Sequence, residues 1–136
     1  MKSEVRVALR IMGFSCRPAG ITALLGIDPT SSWENGDPIS KNRTGRLHQE
    51  NGWEWRAMPD APEQVEFSVL FDDLLKTFLP IKGRFSGLEK GVALQLACCA
   101  YVREQAPAFT LTEPLINLLS NINASVDLDI FWLDEA

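Results

Sequence analysis

The sequence holds one histidine, one tyrosine and three cysteines in 136 residues. None of its apolar runs approaches the ~18 residues that a membrane-spanning helix needs. Each shortage excludes a class of function. Cys16, Cys98 and Cys99 make an odd set with two adjacent members, a poor disulfide framework, so reduced thiols and a cytoplasmic setting are expected. Cys98-Cys99 cannot form half of a zinc site, because neighbours on a strand point to opposite faces and no second Cys or His pair completes four-coordination. No metal and no cofactor are expected. Basic residues are few and scattered: 13 Lys and Arg against 18 Asp and Glu give a formal net charge of −5. Nucleic acid is therefore not an expected partner, since phosphate binding needs clustered cations. The tightest group, Lys41, Arg43 and Arg46, reads as a solvated loop. Gly83, Gly87 and Gly91 lack the Lys-Ser/Thr of a phosphate loop and read as a turn-rich connection. The opening Met1-Lys2-Ser3-Glu4-Val5-Arg6 interleaves charge with apolar residues, unlike a signal peptide.

The chain does have enough apolar residues, 46%, to bury a core, and its length suits one domain over 1–136. Val5, Val7, Leu9 and Ile11 alternate with Glu4, Arg6, Ala8 and Arg10, the period-two pattern of a strand with one buried face. Pro18 opens a short helix carrying Ile21, Leu24 and Leu25, which Gly26 stops. A long turn-rich loop follows from Ile27 to Thr44 and holds Trp33.

Asn51-Gly52 separates Leu47-His48-Gln49-Glu50 from Trp53-Glu54-Trp55-Arg56 and predicts a hairpin closed by a type I′ turn. That register pairs Glu50 with Trp53 and His48 with Trp55. Asp60-Ala61-Pro62-Glu63 has capping-box spacing ahead of Val65, Phe67, Leu70, Phe71, Leu74, Leu75 and Phe78, which predicts the longest helix, ending near Leu79 before Pro80. Residues 92–103 alternate two largely apolar sets and read as a central strand. Thr112-Glu113-Pro114 caps a further helix through Ile122, and Val126, Leu128, Ile130 and Trp132 make a last strand. The expected fold is α+β, a single domain with an antiparallel or mixed sheet of about five strands and three helices packed on one side.

Trp33, His48, Glu50, Trp53 and Trp55 form the candidate binding surface, in which indoles supply stacking area and a histidine and a carboxylate supply polar contacts. The tryptophans of a half-buried hairpin can equally be core. Asp127 and Asp129 share a strand face about 7 Å apart, a spacing open to a cation, to acid–base work or to the guarding of a sheet edge.

Leu25-Gly26-Ile27-Asp28-Pro29-Thr30 at the close of the first helix, Gly36-Asp37 in the loop, Asn51-Gly52-Trp53 and the closing Leu128-Asp129-Ile130-Phe131 carry a resemblance to a bacterial family, domain of unknown function 4279 (DUF4279). The resemblance covers nearly the whole chain and implies a small stand-alone α+β protein with no assigned catalytic residue. By analogy with other small acidic bacterial proteins, a non-enzymatic protein-interaction module is expected, of inhibitor or immunity type, with a basic protein as its partner. The alternative is a small-molecule binder or enzyme with a pocket lined by Trp33, His48, Trp53 and Trp55.

Overall fold

In a computed structural model of the chain, residues 3–39, 45–61 and 65–133 are described. Five strands make one mixed sheet: β1 (Glu4–Met12), β2 (Ser31–Trp33), β3 (Gly52–Arg56), β4 (Ala93–Val102) and β5 (Ala124–Trp132), in the order β2-β3-β1-β4-β5. All neighbours are antiparallel except β4 and β5, which run parallel. A parallel pair needs a crossover. The third helix supplies it. The three helices are α1 (Pro18–Leu25), α2 (Phe67–Phe78) and α3 (Glu113–Asn121), with a 3-10 segment over Leu79–Gly87. This is the α+β domain the alternating patterns predict.

The helices and the core share one side of the sheet. Val5, Val7, Leu9 and Ile11 of β1 and Leu94, Leu96, Cys98, Ala100 and Val102 of β4 are buried against Phe67, Leu70, Phe71, Leu74 and Phe78 of α2 and Leu115, Leu118 and Leu119 of α3. Fully burying each large side chain stabilises by roughly 1.5–3 kcal/mol, so α2 docks chiefly through its apolar stripe. Gly26 ends α1 in the left-handed region, φ 73°, where its N–H donates to the Thr22 carbonyl at 2.8 Å.

Four local expectations need correction. Asn51-Gly52 is not a hairpin turn, because Gly52 opens β3 between Met12 of β1 and Trp33 of β2. The Asn51 side chain is spent on the backbone instead: its Nδ2 donates to the carbonyls of Phe14 (2.9 Å) and Cys16 (3.0 Å), and its Oδ1 accepts from the Asn35 N–H (2.7 Å). His48 pairs with the preceding loop rather than with Trp55. Its N–H donates to the Asp37 carbonyl and its carbonyl accepts from the Gly36 N–H, both at 2.8 Å.

The second correction is to α2, which starts at Phe67 with Glu66 at its cap and no side-chain cap bond. Asp60 lies in a turn seven residues earlier, and Glu63 lies outside the described residues. The third is partial: α2 ends at Phe78, beside the expected Leu79, yet Pro80 does not halt the chain's winding. Lacking only an N–H, it fits the first turn of the 3-10 segment. Finally, β1, not β4, is central, and only one face of β4 is covered.

Candidate functional site

Because all three helices lie on one side, the opposite face of the sheet has no layer over it among the described residues. Residues opposite one another across a ladder share a face, so the register lays this surface out row by row. At one end Trp33, Gly52, Met12 and Ala93 form a row. Next comes Ser31, Glu54, Arg10, Gln95 and Ser125, and then Arg56, Ala8, Ala97 and Asp127. Arg6, Cys99 and Asp129 follow, and Glu4, Tyr101 and Phe131 close the grid.

Two stacks of rings and cations stand at its ends. The Trp33 indole stacks on the His48 imidazole with centroids 4.7 Å apart and planes at 18°, and the Arg10 guanidinium sits 5.6 Å from the indole centroid. Arg10 Nε also lies 3.0 Å from Glu54 Oε1, although its N–H is not directed at that oxygen and makes no hydrogen bond. At the far end Tyr101 stacks on Phe131 at 5.4 Å and 18°, with Arg6 5.2 Å from the tyrosine centroid and 3.4 Å from Glu4 Oε1. A cation over a ring gains about 0.5–1 kcal/mol at exposed sites, so these stacks hold long side chains in place more than they stabilise the fold.

Between the stacks the floor is made of small side chains. A depression of about 260 Å³ lies over Ala8, Ala97 and Cys99, walled by Arg6, Glu54, Arg56, Tyr101 and Asp129. Arg56 is half-buried there, and its Nε is shielded from solvent without a hydrogen-bond partner. An orphaned guanidinium N–H seeks an acceptor. Charge on this face is uneven: Arg6, Arg10 and Arg56 stand on β1 and β3 together with Glu4 and Glu54, whereas β5 contributes only Asp127 and Asp129. Asp127 accepts a hydrogen bond from Gln95 Nε2. Among the described residues no group of three or more His, Cys, Asp or Glu side chains gathers closely enough to hold a metal ion.

Thiols flank the same region from both sides of the sheet. Burial pushes the Cys98 thiol up to about 12, helped by the nearby charges of Asp127 and Cys99. Tyr101 is also raised, first by its hydrogen bond with Cys99 and then by the charge there. A cysteine held protonated is a poor nucleophile, so Cys98 acts as a small apolar core residue.

The five residues singled out from sequence fall on both sides of the sheet. Trp33 and His48 come together on the open face. Trp53 is wholly buried opposite Ile11, its Nε1 donating to Thr22 Oγ1 at 3.1 Å, and Trp55 packs edge-on against Phe78 at 4.9 Å. Trp33, His48, Trp53 and Trp55 therefore do not line one cavity. Glu50 is exposed at the rim beside Gly13. The residues that the geometry adds, Arg6, Arg10, Arg56, Tyr101 and Phe131, were legible only as the polar half of alternating strands. That pattern marks a face away from the core without saying whether anything covers it.

No helix among the described residues is long and apolar enough to cross a membrane. Comparison with curated proteins and with solved structures finds no match. The model of one family, described as domain of unknown function (DUF4279), matches residues 3–132, and the chain belongs to that family.

Proposed function

We propose that this protein is a non-enzymatic interaction module that receives a protein partner on the uncovered face of its sheet. One observation carries the reading: a whole sheet face lies open with its long side chains already ordered by the Trp33–His48–Arg10 and Arg6–Tyr101–Phe131 stacks. Pre-ordering matters because binding otherwise costs roughly 0.5–1.5 kcal/mol for each rotamer-rich side chain immobilised. Tryptophan, tyrosine and arginine are also the residue types that dominate binding energy at interfaces. The uneven charge, arginine–glutamate pairs on one half and aspartates alone on the other, supplies orientation and selectivity. Inhibitor and immunity-type proteins, which mask a partner's working surface, are instances of such a module. The thiol set Cys16, Cys98 and Cys99, all free, supports a reducing cytoplasmic setting.

Affinity capture with the intact chain tests this. A partner identified by mass spectrometry should be retained by wild type and by Ile116→Ala, whose side chain is exposed on α3. It should be lost by the Trp33→Ala/His48→Ala double variant. Retention by the double variant overturns the proposal.

A second reading rests on Arg56. Its orphaned Nε at the edge of the 260 Å³ depression suits a small anionic ligand over the Ala8 and Ala97 floor. A thermal-shift screen of small carboxylates and phosphates separates the two readings, since a saturating ligand raises the midpoint only if it binds the native state. A shift abolished by Arg56→Gln selects the small ligand.

A further inference from the structure

The outermost strand, β5, is nine residues long and pairs with β4 through nine consecutive positions without a bulge. Its other edge meets no strand among the described residues. Edge strands are normally blunted by lysine, proline, a bulge or very short length. β5 has none of these; its only charges, Asp127 and Asp129, lie on one face and leave Leu128, Ile130 and Trp132 unguarded on the other, whereas β2 at the opposite edge is only three residues long. Every residue from Asp127 to Trp132 is exposed, with Leu128 at 38%, Ile130 at 49%, Phe131 at 48% and Trp132 at 68%. Leu128, Ile130 and Trp132 sit opposite Cys98, Ala100 and Val102 and so lie on the helix-bearing side. Asp127, Asp129 and Phe131 lie on the open side.

We propose that β5 is a strand-addition site for an extended protein segment in which basic and apolar residues alternate. The backbone of β5 offers the hydrogen bonds of an unpaired ladder, and the two sets of side chains fix what the added strand must carry. Apolar residues of the incoming strand cover Leu128, Ile130 and Trp132. Its basic residues face Asp127 and Asp129, which have no cation near them on β5 itself. Charge also argues against a second copy of the chain as the occupant, because β5 against β5 brings four carboxylates to one seam in a protein that already carries a net charge of −5. The site lies at the far end of the sheet from Trp33, so it extends the open-face reading without depending on it.

The test uses a capped nine-residue peptide of alternating lysine and valine, titrated into the intact chain by calorimetry at low salt. Glutamate–valine and fully N-methylated lysine–valine peptides serve as controls. The lysine–valine peptide should bind, and neither control should. The Asp127→Asn/Asp129→Asn variant should weaken binding about five-fold, the effect of two cross-strand charge pairs of ordinary strength. Added salt should erode that difference, and Trp33→Ala should leave binding unchanged. Failure of the lysine–valine peptide to bind at millimolar concentration overturns the proposal, as does equal binding of either control. Self-association in sedimentation that Ile130→Lys abolishes also overturns it, because a second copy then covers the edge. Loss of peptide binding in Trp33→Ala would place the contact on the open face instead.

Discussion

The indole of Trp33 lies directly on the bare Cα of Gly52, so close that a β-carbon added to Gly52 would stand 2.0 Å from Trp33 Cε2. The two are cross-strand partners in β2 and β3. A glycine in a strand ordinarily weakens it, but here the missing side chain lets an aromatic ring cover the backbone and reach His48 and Arg10. Gly52→Ala should therefore expel the indole and cost roughly 1–3 kcal/mol, the usual range for overpacking. Adding Trp33→Ala should recover much of that loss. Additivity of the two substitutions in denaturant unfolding would show that the added methyl and the indole do not compete for this space.

The tryptophans should divide sharply in energetic weight. Trp53→Ala removes a wholly buried ring and should cost about 3–5 kcal/mol, whereas Trp33→Ala, on the open face, should cost about 1 kcal/mol or less. Thr22→Val should cost about 1–3 kcal/mol by leaving Trp53 Nε1 unpaired. Urea midpoints measure all three.

Asn51 ties three loop positions together through one amide. Its replacement by Ala should destabilise by about 2 kcal/mol, because each bond is worth roughly 0.5–1.5 kcal/mol net and part of the site is wet. Asn51→Asp should be no better, as a carboxylate cannot donate to the Phe14 and Cys16 carbonyls. Hydrogen exchange at the Asn35 amide should quicken in Asn51→Ala and much less in Asn51→Asp, whose carboxylate still accepts from that N–H.

The raised Cys98 thiol gives an alkaline signature. The unfolded thiol ionises near its ordinary value of 9.0 and the folded one only near 12. Between these values the unfolded state holds fewer protons, so stability falls as pH rises through the window and the contribution is fully intact below pH 9. Cys98→Ala should flatten that part of the stability–pH curve relative to wild type. At pH 8 iodoacetamide should modify exposed Cys16 in the native protein and spare Cys98.

Periodicity decided a good deal without any structure. The alternation in Val5 to Ile11, the stripe from Phe67 to Phe78 and the Pro18 and Gly26 boundaries each follow from local geometry, in which a residue's neighbours in sequence are also its neighbours on a strand or helix. They were enough for the α+β class and for the Phe-rich core of α2. Asn51-Gly52 shows where local signals stop. The pair has the conformational freedom for a tight turn, but hydrogen bonds to distant Phe14 and Cys16 and from Asn35, and a partner at Trp33, use it to start a strand. Capping-box spacing at Asp60 misled for the same reason: the start of α2 is set where Phe67 meets the core.

The candidate surface was divided in the same way. Sequence alone put Trp33 and His48 forward as possible contacts, and alternation put Arg6 and Arg10 on the polar side of β1. Only the tertiary structure decided that Trp53 and Trp55 face the helices while Trp33 faces solvent, because a strand's inward side is defined by which face the helices cover. That choice rests on the order β2-β3-β1-β4-β5 and on three helices gathering on one side, relationships between residues tens of positions apart that no local pattern encodes.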